Sequence, residues 1–276
     1  DFEDSGQRLA VGLNADVALA DLDGDGDLDA AFSTMSGIGS QVWFNDGHAK
    51  FTDSTQRMGD SKFRSLRLGD FDGDGDFDVL LLSVRGPSSV WLNDGSGYFS
   101  PGAASSLPMT DYASLGDVDS DGDLDVAFAS SHGPVLAINN GDATFQSTLA
   151  SVAVMPSSQG NDEMMPGLAD LDGDGDLDIF VSIHIGNPSA NSPSSVWLND
   201  GSGHFTDTGQ RCGDTGSLAY CFWQSFGDIN NDNFIDVLEL SPHGREHRIW
   251  LNDGLAQFQL SQHHWISDNG QTLKVA

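Results

Sequence analysis

Apolar residues in this chain come in short runs and never at helical spacing. Val17-Ala-Leu-Ala20, Ala30-Ala-Phe32 and Val42-Trp-Phe44 open a series that recurs along the chain, for example as Val79-Leu-Leu-Leu82, Val90-Trp-Leu92 and Val126-Ala-Phe128. Two kinds of polar segment punctuate the runs. A dense acidic loop separates the first run from the second, and Asn-Asp-Gly or Asn-Asn-Gly follows the third. Short apolar runs bounded by turn residues predict strands. Asn-Asp-Gly supplies residues that accept positive φ in a tight hairpin. Four residues after each of these glycines stands Phe51, Phe99, Phe145, Phe205 or Phe258, which begins a fourth strand.

The acidic loops start at positions 21, 70, 117, 170 and 228, a period of 47 to 58 residues. Four antiparallel strands repeated at that period predict the blades of an all-β propeller. The repeats run over about 11–59, 60–109, 110–158, 159–216 and 217–262 of one domain spanning 1–276. Five blades are expected; six blades, or a piece of a longer array, are the alternatives. A looser marker, Phe51-Thr-Asp53-Ser-Thr-Gln56, returns as Phe205-Thr-Asp207-Thr-Gly-Gln210. Its echoes at the two ends, Phe2-Glu-Asp4-Ser-Gly-Gln7 and Ile266-Ser-Asp268-Asn-Gly-Gln271, place segments 1–10 and 263–276 as candidates for ring closure. Each first strand ends on a small residue (Ala20, Gly69, Gly116, Ala169, Gly227), as a crowded position near an axis requires. Trp43, Trp91, Trp197 and Trp250 keep step with the repeat and are expected in the core.

The loops carry the chemistry. Loop one holds Asp21, Asp23, Asp25, Asp27 and Asp29; loop two Asp70, Asp72, Asp74, Asp76 and Asp78; loop three Asp117, Asp119, Asp121, Asp123 and Asp125; loop four Asp170, Asp172, Asp174, Asp176 and Asp178. The fifth is thinner, with Asp228, Asn230, Asp232, Phe234 and Asp236. Carboxylates this crowded repel one another unless a cation binds. Hard cations take oxygen ligands, and Ca²⁺ takes six to eight. Positions 1, 3 and 5 of each loop are expected to point inward, position 9 to close the site, and position 6 (Gly in four loops, Asn233 in the fifth) to turn the backbone. Phe234 at position 7 can offer only its carbonyl. Position 7 is therefore expected to coordinate through the carbonyl everywhere, with the Asp side chains outward. About five Ca²⁺ ions follow, the fifth site being weakest; Mg²⁺ or Mn²⁺ is the minor alternative.

Composition changes the picture in two ways. The net charge is −31, but the five loops hold 23 of the 42 acidic residues. Even five bound divalent cations leave the chain strongly negative, so nucleic acid and anionic membrane surfaces are poor partners. No apolar run approaches the length of a membrane helix. Cys212 and Cys221 are expected to form a local disulfide, the alternative being two free thiols; with Ca²⁺ loops this points outside the cytosol. A chain opening on Asp1 is expected to be trimmed, so targeting signals are not readable.

The Asp-x-Asp-x-Asp-Gly-x-x-Asp loops and the Trp-x-Asn-Asp-Gly hairpins resemble the FG-GAP/VCBS repeat family, which includes the integrin α-subunit-type propeller. The resemblance covers nearly the whole chain and implies a propeller with one Ca²⁺ between the first two strands of a blade, in an extracellular or cell-surface protein. The members' roles are adhesion, lectin activity and polysaccharide degradation, so a module binding carbohydrate or an extracellular protein is expected. A polysaccharide-active enzyme and a structural module of a larger surface protein are the alternatives. The rim opposite the metal loops carries Arg64, Arg85, Tyr112, His132, His184, Trp223 and His243, a mix suited to a sugar or peptide. No nucleophile elbow, zinc-helix motif or phosphate loop occurs.

Overall fold

The computed structural model describes residues 4–10, 12–60, 62–103, 107–149, 163–184, 193–213, 223–240, 246–262 and 265–266. All regular structure among them is strand. The first sheet holds β1 (Asn14–Ala20), β2 (Asp29–Thr34), β3 (Ser40–Asn45) and β4 (Phe51–Met58). The second holds β5 (Phe63–Gly69), β6 (Asp78–Ser83), β7 (Ser89–Asn93) and β8 (Phe99–Pro101). The third is built from β9 (Ala113–Gly116), β10 (Asp125–Phe128), β11 (Val135–Asn139) and β12 (Phe145–Leu149). The fourth holds β13 (Glu163–Ala169), β14 (Asp178–His184), β15 (Ser194–Asn199) and β16 (Phe205–Cys212). The fifth holds β17 (Trp223–Gly227), β18 (Asp236–Leu240), β19 (Glu246–Asn252) and β20 (Phe258–Leu260), with β21 (Trp265–Ile266) also paired to β19. Neighbours in each sheet follow chain order, so every sheet is a meander. Five such sheets are the five blades expected from the repeat. Among the described residues no helix is long and apolar enough to cross a membrane.

The register explains the sequence markers. The small residue ending the first strand pairs with the last Asp of its loop: Ala20 with Asp29, Gly69 with Asp78, Ala169 with Asp178 and Gly227 with Asp236. The loop therefore begins and ends at one rung of the ladder, and its other residues bulge out together. Second strands are buried on both faces, as continuous apolar runs require; β6 is buried along its whole length.

The described residues divide into two compact units. One contains the first and second sheets, the other the fourth and fifth, and residues of the third sheet are shared between them. In the first unit, Ala20, Leu22, Ala31 and Val42 of the first sheet pack on Phe63, Leu66, Val79 and Leu81 of the second. In the second, Phe180, Val196 and Cys212 pack with Val237, Trp250 and Phe258, and the Phe180 and Phe258 rings meet edge to face with centroids 5.4 Å apart. Trp197 and Trp250 are buried, while Trp43 and Trp91 are half-buried.

Polar brackets tie successive sheets together. Gln56 on β4 accepts the Phe99 N–H at 2.9 Å and donates to the Gly97 carbonyl at 2.5 Å. Gln210 on β16 accepts from Phe258 N–H and donates to the Phe258 carbonyl. The strands carrying these glutamines are stiffened by ion pairs between Asp53 and Arg57 and between Asp207 and Arg211. In each, the guanidinium holds the carboxyl below the usual carboxylate range.

Candidate metal centres and ligand cavity

In four loops, three carboxylates converge. Ligand-capable atoms of Asp21, Asp23 and Asp29 lie within 4.8 Å of one another, as do those of Asp70, Asp72 and Asp78, of Asp117, Asp119 and Asp125, and of Asp170, Asp172 and Asp178. Positions 1, 3 and 9 thus face one point. Position 5 stands aside from these sets: Asp25, Asp74 and Asp174 use Oδ1 to accept the N–H of position 7. The fifth loop has Asn230 at position 3, where its side-chain amide donates to Asp232.

Backbone geometry builds each set. Asp21 accepts the N–H groups of Gly24 and Gly26, and Asp70 and Asp170 do the same in their loops. Curling the loop so tightly puts position 6 at positive φ, +93° at Gly26 and +71° at Asn233. The position 7 side chain lies against the hairpin glycine. A Cβ at Gly47, Gly95, Gly141 or Gly201 would collide with the carboxylate of Asp27, Asp76, Asp123 or Asp176, and one at Gly254 with the Phe234 ring.

Position 9 does more than close the loop. Asp29, Asp78, Asp125, Asp178 and Asp236 are fully buried. Asp78 accepts the Phe71 N–H through one oxygen and the Asn93 N–H through the other, at 2.9 and 2.8 Å. Asp29, Asp178 and Asp236 are bracketed the same way. Each oxygen keeps a further lone pair for a cation.

The donor set fits a hard cation. Asp72 Oδ1 and Asp119 Oδ1 are buried without a protein hydrogen-bond partner, an arrangement that is costly unless a cation meets them. Burial, and after it the crowding of neighbouring carboxylates, raises the pKa of Asp23, Asp72, Asp119 and Asp172. Burial pushes Asp78 and Asp178 up to about 6. A bound divalent cation would reverse these shifts by favouring the charged forms.

The asparagine that opens each hairpin is a fastener that sequence reading takes only as a turn residue. Asn93 Nδ2 donates to Phe77 O in its own loop and to Leu22 O in the loop of the preceding sheet, at 3.2 and 2.9 Å. Asn139, Asn199 and Asn252 repeat the pattern with Phe71, Val118 and Leu171 as the distant acceptors.

Beside the fourth and fifth loops lies a cavity of about 500 Å³. Phe226, Phe234, Ile235, Asp170, Asn233 and Asn252 line it. Phe234 is 40% exposed there, at the position where the other loops carry Asp.

The expected rim residues are less uniform. Arg64 pairs with Asp111 at 3.1 Å. Tyr112 is buried with the Arg67 guanidinium 5.7 Å from its ring centre. Arg85 and Trp223 are exposed, and His132 Nδ1 hydrogen-bonds Ser131. His243 and the His184 side chain lie outside the described residues. Cys212 is buried, and burial raises its thiol to about 12; Cys221 lies outside the described residues, so the disulfide expectation stands untested.

Comparison with curated protein sequences finds no match. A lectin from Agrocybe aegerita, solved for its specific recognition of non-reducing terminal N-acetylglucosamine, has the same β-propeller fold. Its TM-score is 0.64 at 20% identity over 92% of this chain, which spans 66% of the lectin's length. The Photorhabdus luminescens Tc holotoxin pore matches over 91% of this chain but 12% of its own, at 18% identity and a TM-score of 0.46. The model of the FG-GAP-like repeat matches residues 21–81, 70–116, 117–181 and 170–239. The chain belongs to the FG-GAP-like repeat family.

Proposed function

We propose that this chain is a calcium-stabilised carbohydrate-binding module of a secreted or cell-surface protein. The observation that carries the reading is the cavity beside the fourth and fifth loops. An exposed aromatic face (Phe234), an apolar floor (Phe226, Ile235) and a few polar groups (Asp170, Asn233) surround it. Sugars present an apolar face flanked by hydroxyls, and such a lining stacks on one and hydrogen-bonds the others. The Agrocybe aegerita lectin, which recognises terminal N-acetylglucosamine, supports the class of ligand.

The metal's part is structural. Asp170 and Asp228 begin the two loops beside the cavity, so a cation in each holds the cavity wall in place, with the Phe234 carbonyl turned to the metal and its ring to the ligand. Calcium suits the all-oxygen sets, and the extracellular setting supplies it at the concentration such sites need. The expected rim residues Arg64, Arg85, His132 and Trp223 are the second place to look.

A glycan array probed in millimolar Ca²⁺, including glycans ending in N-acetylglucosamine, tests this. The intact chain binds a defined glycan class, and Phe234→Ala lowers affinity about tenfold or more at unchanged melting temperature. No glycan bound, or equal binding by Phe234→Ala, contradicts the reading.

A further inference from the structure

The first sheet leaves bare a face that its counterpart in the second sheet buries. Leu66 and Leu68 on β5 pack into the core shared with the first sheet. The residues at the same register positions on β1 are Val17 and Leu19, which are 52% and 57% exposed. Leu28, just before β2, is 57% exposed as well. In the third and fourth sheets the residues equivalent to Leu19 and Leu28 press on the small residue that ends the preceding first strand, while Phe77 of the second sheet is 46% exposed. Leu115 and Leu124 meet Gly69, and Leu168 and Leu177 meet Gly116.

Polar contacts show the same gap. Asn93, Asn139, Asn199 and Asn252 each reach back to a carbonyl in the preceding loop. Asn45 reaches only its own loop, at Leu28 O, and its Oδ1 is buried without a partner.

The station in front of this face is nevertheless partly filled. Gln7 accepts the Phe51 N–H at 2.9 Å and donates to Ala49 O at 2.6 Å. That is the bracket Gln56 makes on Phe99 and Gln210 on Phe258, each from the fourth strand of the preceding sheet. Asp4 and Arg8 form the ion pair that Asp53 and Arg57, and Asp207 and Arg211, form on those strands. Asp4 to Arg8 therefore occupy the fourth-strand place of a sheet that precedes the first.

We propose that the bare face of the first sheet seats a further four-stranded sheet of this repeat. Its fourth strand contains Asp4–Arg8. Its first three strands come from the same polypeptide outside these 276 residues, in the chain order every other sheet follows. Within the fifth sheet the fourth-strand place is taken by β20, and β21 pairs with β19 as well. The longest internal stretch outside the described residues, 150–162, is too short for three strands and a loop. The seated sheet ends its first strand on a small residue against Leu19 and Leu28. It also offers a loop carbonyl to Asn45 Nδ2 and brings one more acidic loop.

The test grafts a surrogate. Residues 163–203, the first three strands of the repeat whose own fourth strand reads Phe205-Thr-Asp207-Thr-Gly-Gln210-Arg211, are fused ahead of Asp1, which then stands where His204 does. In Ca²⁺ the fused protein melts about 5 °C or more above the 276-residue chain, and Leu19→Glu or Asn45→Ala removes the gain. A folded fusion with no gain, or a gain indifferent to Leu19→Glu, overturns the proposal. The unfused chain decides independently of the fusion. Leu19→Glu there leaves the melting temperature within about 2 °C of the parent if the face is bare. A fall of about 5 °C or more, or a parent dimer that Leu19→Glu dissociates, shows the face already covered and overturns the proposal.

Discussion

Asp78 and Asp178 show at the scale of one residue what a bound cation would relieve. Each is fully buried, each oxygen accepts a backbone N–H, and burial still pushes the carboxyl up to about 6. Two hydrogen bonds do not offset the loss of water and the neighbouring charges. A folded-state value above the ordinary carboxylate value of 3.8 means that the folded chain holds the proton more tightly than the unfolded one. Without metal, the stability from these groups is full below about pH 4 and is lost as pH rises through about 6. The loss is on the order of 3 kcal/mol for each by pH 7. Melting curves in excess chelator should therefore shift to lower temperature between pH 4 and pH 7. Saturating calcium should abolish or invert that slope, because the cation competes with the proton. A chelated protein whose melting temperature rises over this range would contradict the assignment.

At the scale of the element, the unit of construction is a loop, a hairpin asparagine and the loop of the preceding sheet. Asn93→Ala removes three hydrogen bonds and strands Leu22 O, Phe77 O and the Gly97 N–H. A cost of about 2–4 kcal/mol follows. Asn45→Ala removes only the bond to Leu28 O, so about a third of that cost is expected; chemical denaturation of the two variants measures the difference. Equal costs would remove the fastening role. The strands themselves are legible in the residues, because the apolar runs stop where Asp and Asn-Asp-Gly begin and the small residue marks the rung where each loop opens. The fastener is not legible, because Asn-Asp-Gly is fully explained as a turn and a side-chain amide pointing at a distant loop leaves no local signature. Position 9 joins positions 1 and 3 in the converging sets, as the reading of it as the closing ligand predicts, while Asp25 also caps the N–H of Asp27 through Oδ1.

At the scale of the molecule, the acidic loops recur in every sheet, and in the proposed reading they serve the scaffold while the features that do not repeat serve recognition. Phe234 is the clearest of these. It breaks the aspartate pattern, covers the hairpin at Gly254 and lines the cavity. Sequence reading points to the opposite rim because the loops there vary most, and that expectation stands untested; the cavity beside the fourth and fifth loops is not legible in one repeat at a time. In the proposed reading the scaffold rests on cations, since a ligand bound only by the folded state adds stability by mass action. Titration of Ca²⁺ into the chelated, dialysed protein, followed by calorimetry and melting temperature together, tests this most directly. The expected result is four comparable sites and a weaker fifth, with the melting temperature climbing as they fill. No heat of binding, and the same melting curve in Ca²⁺ and in excess chelator, would contradict it.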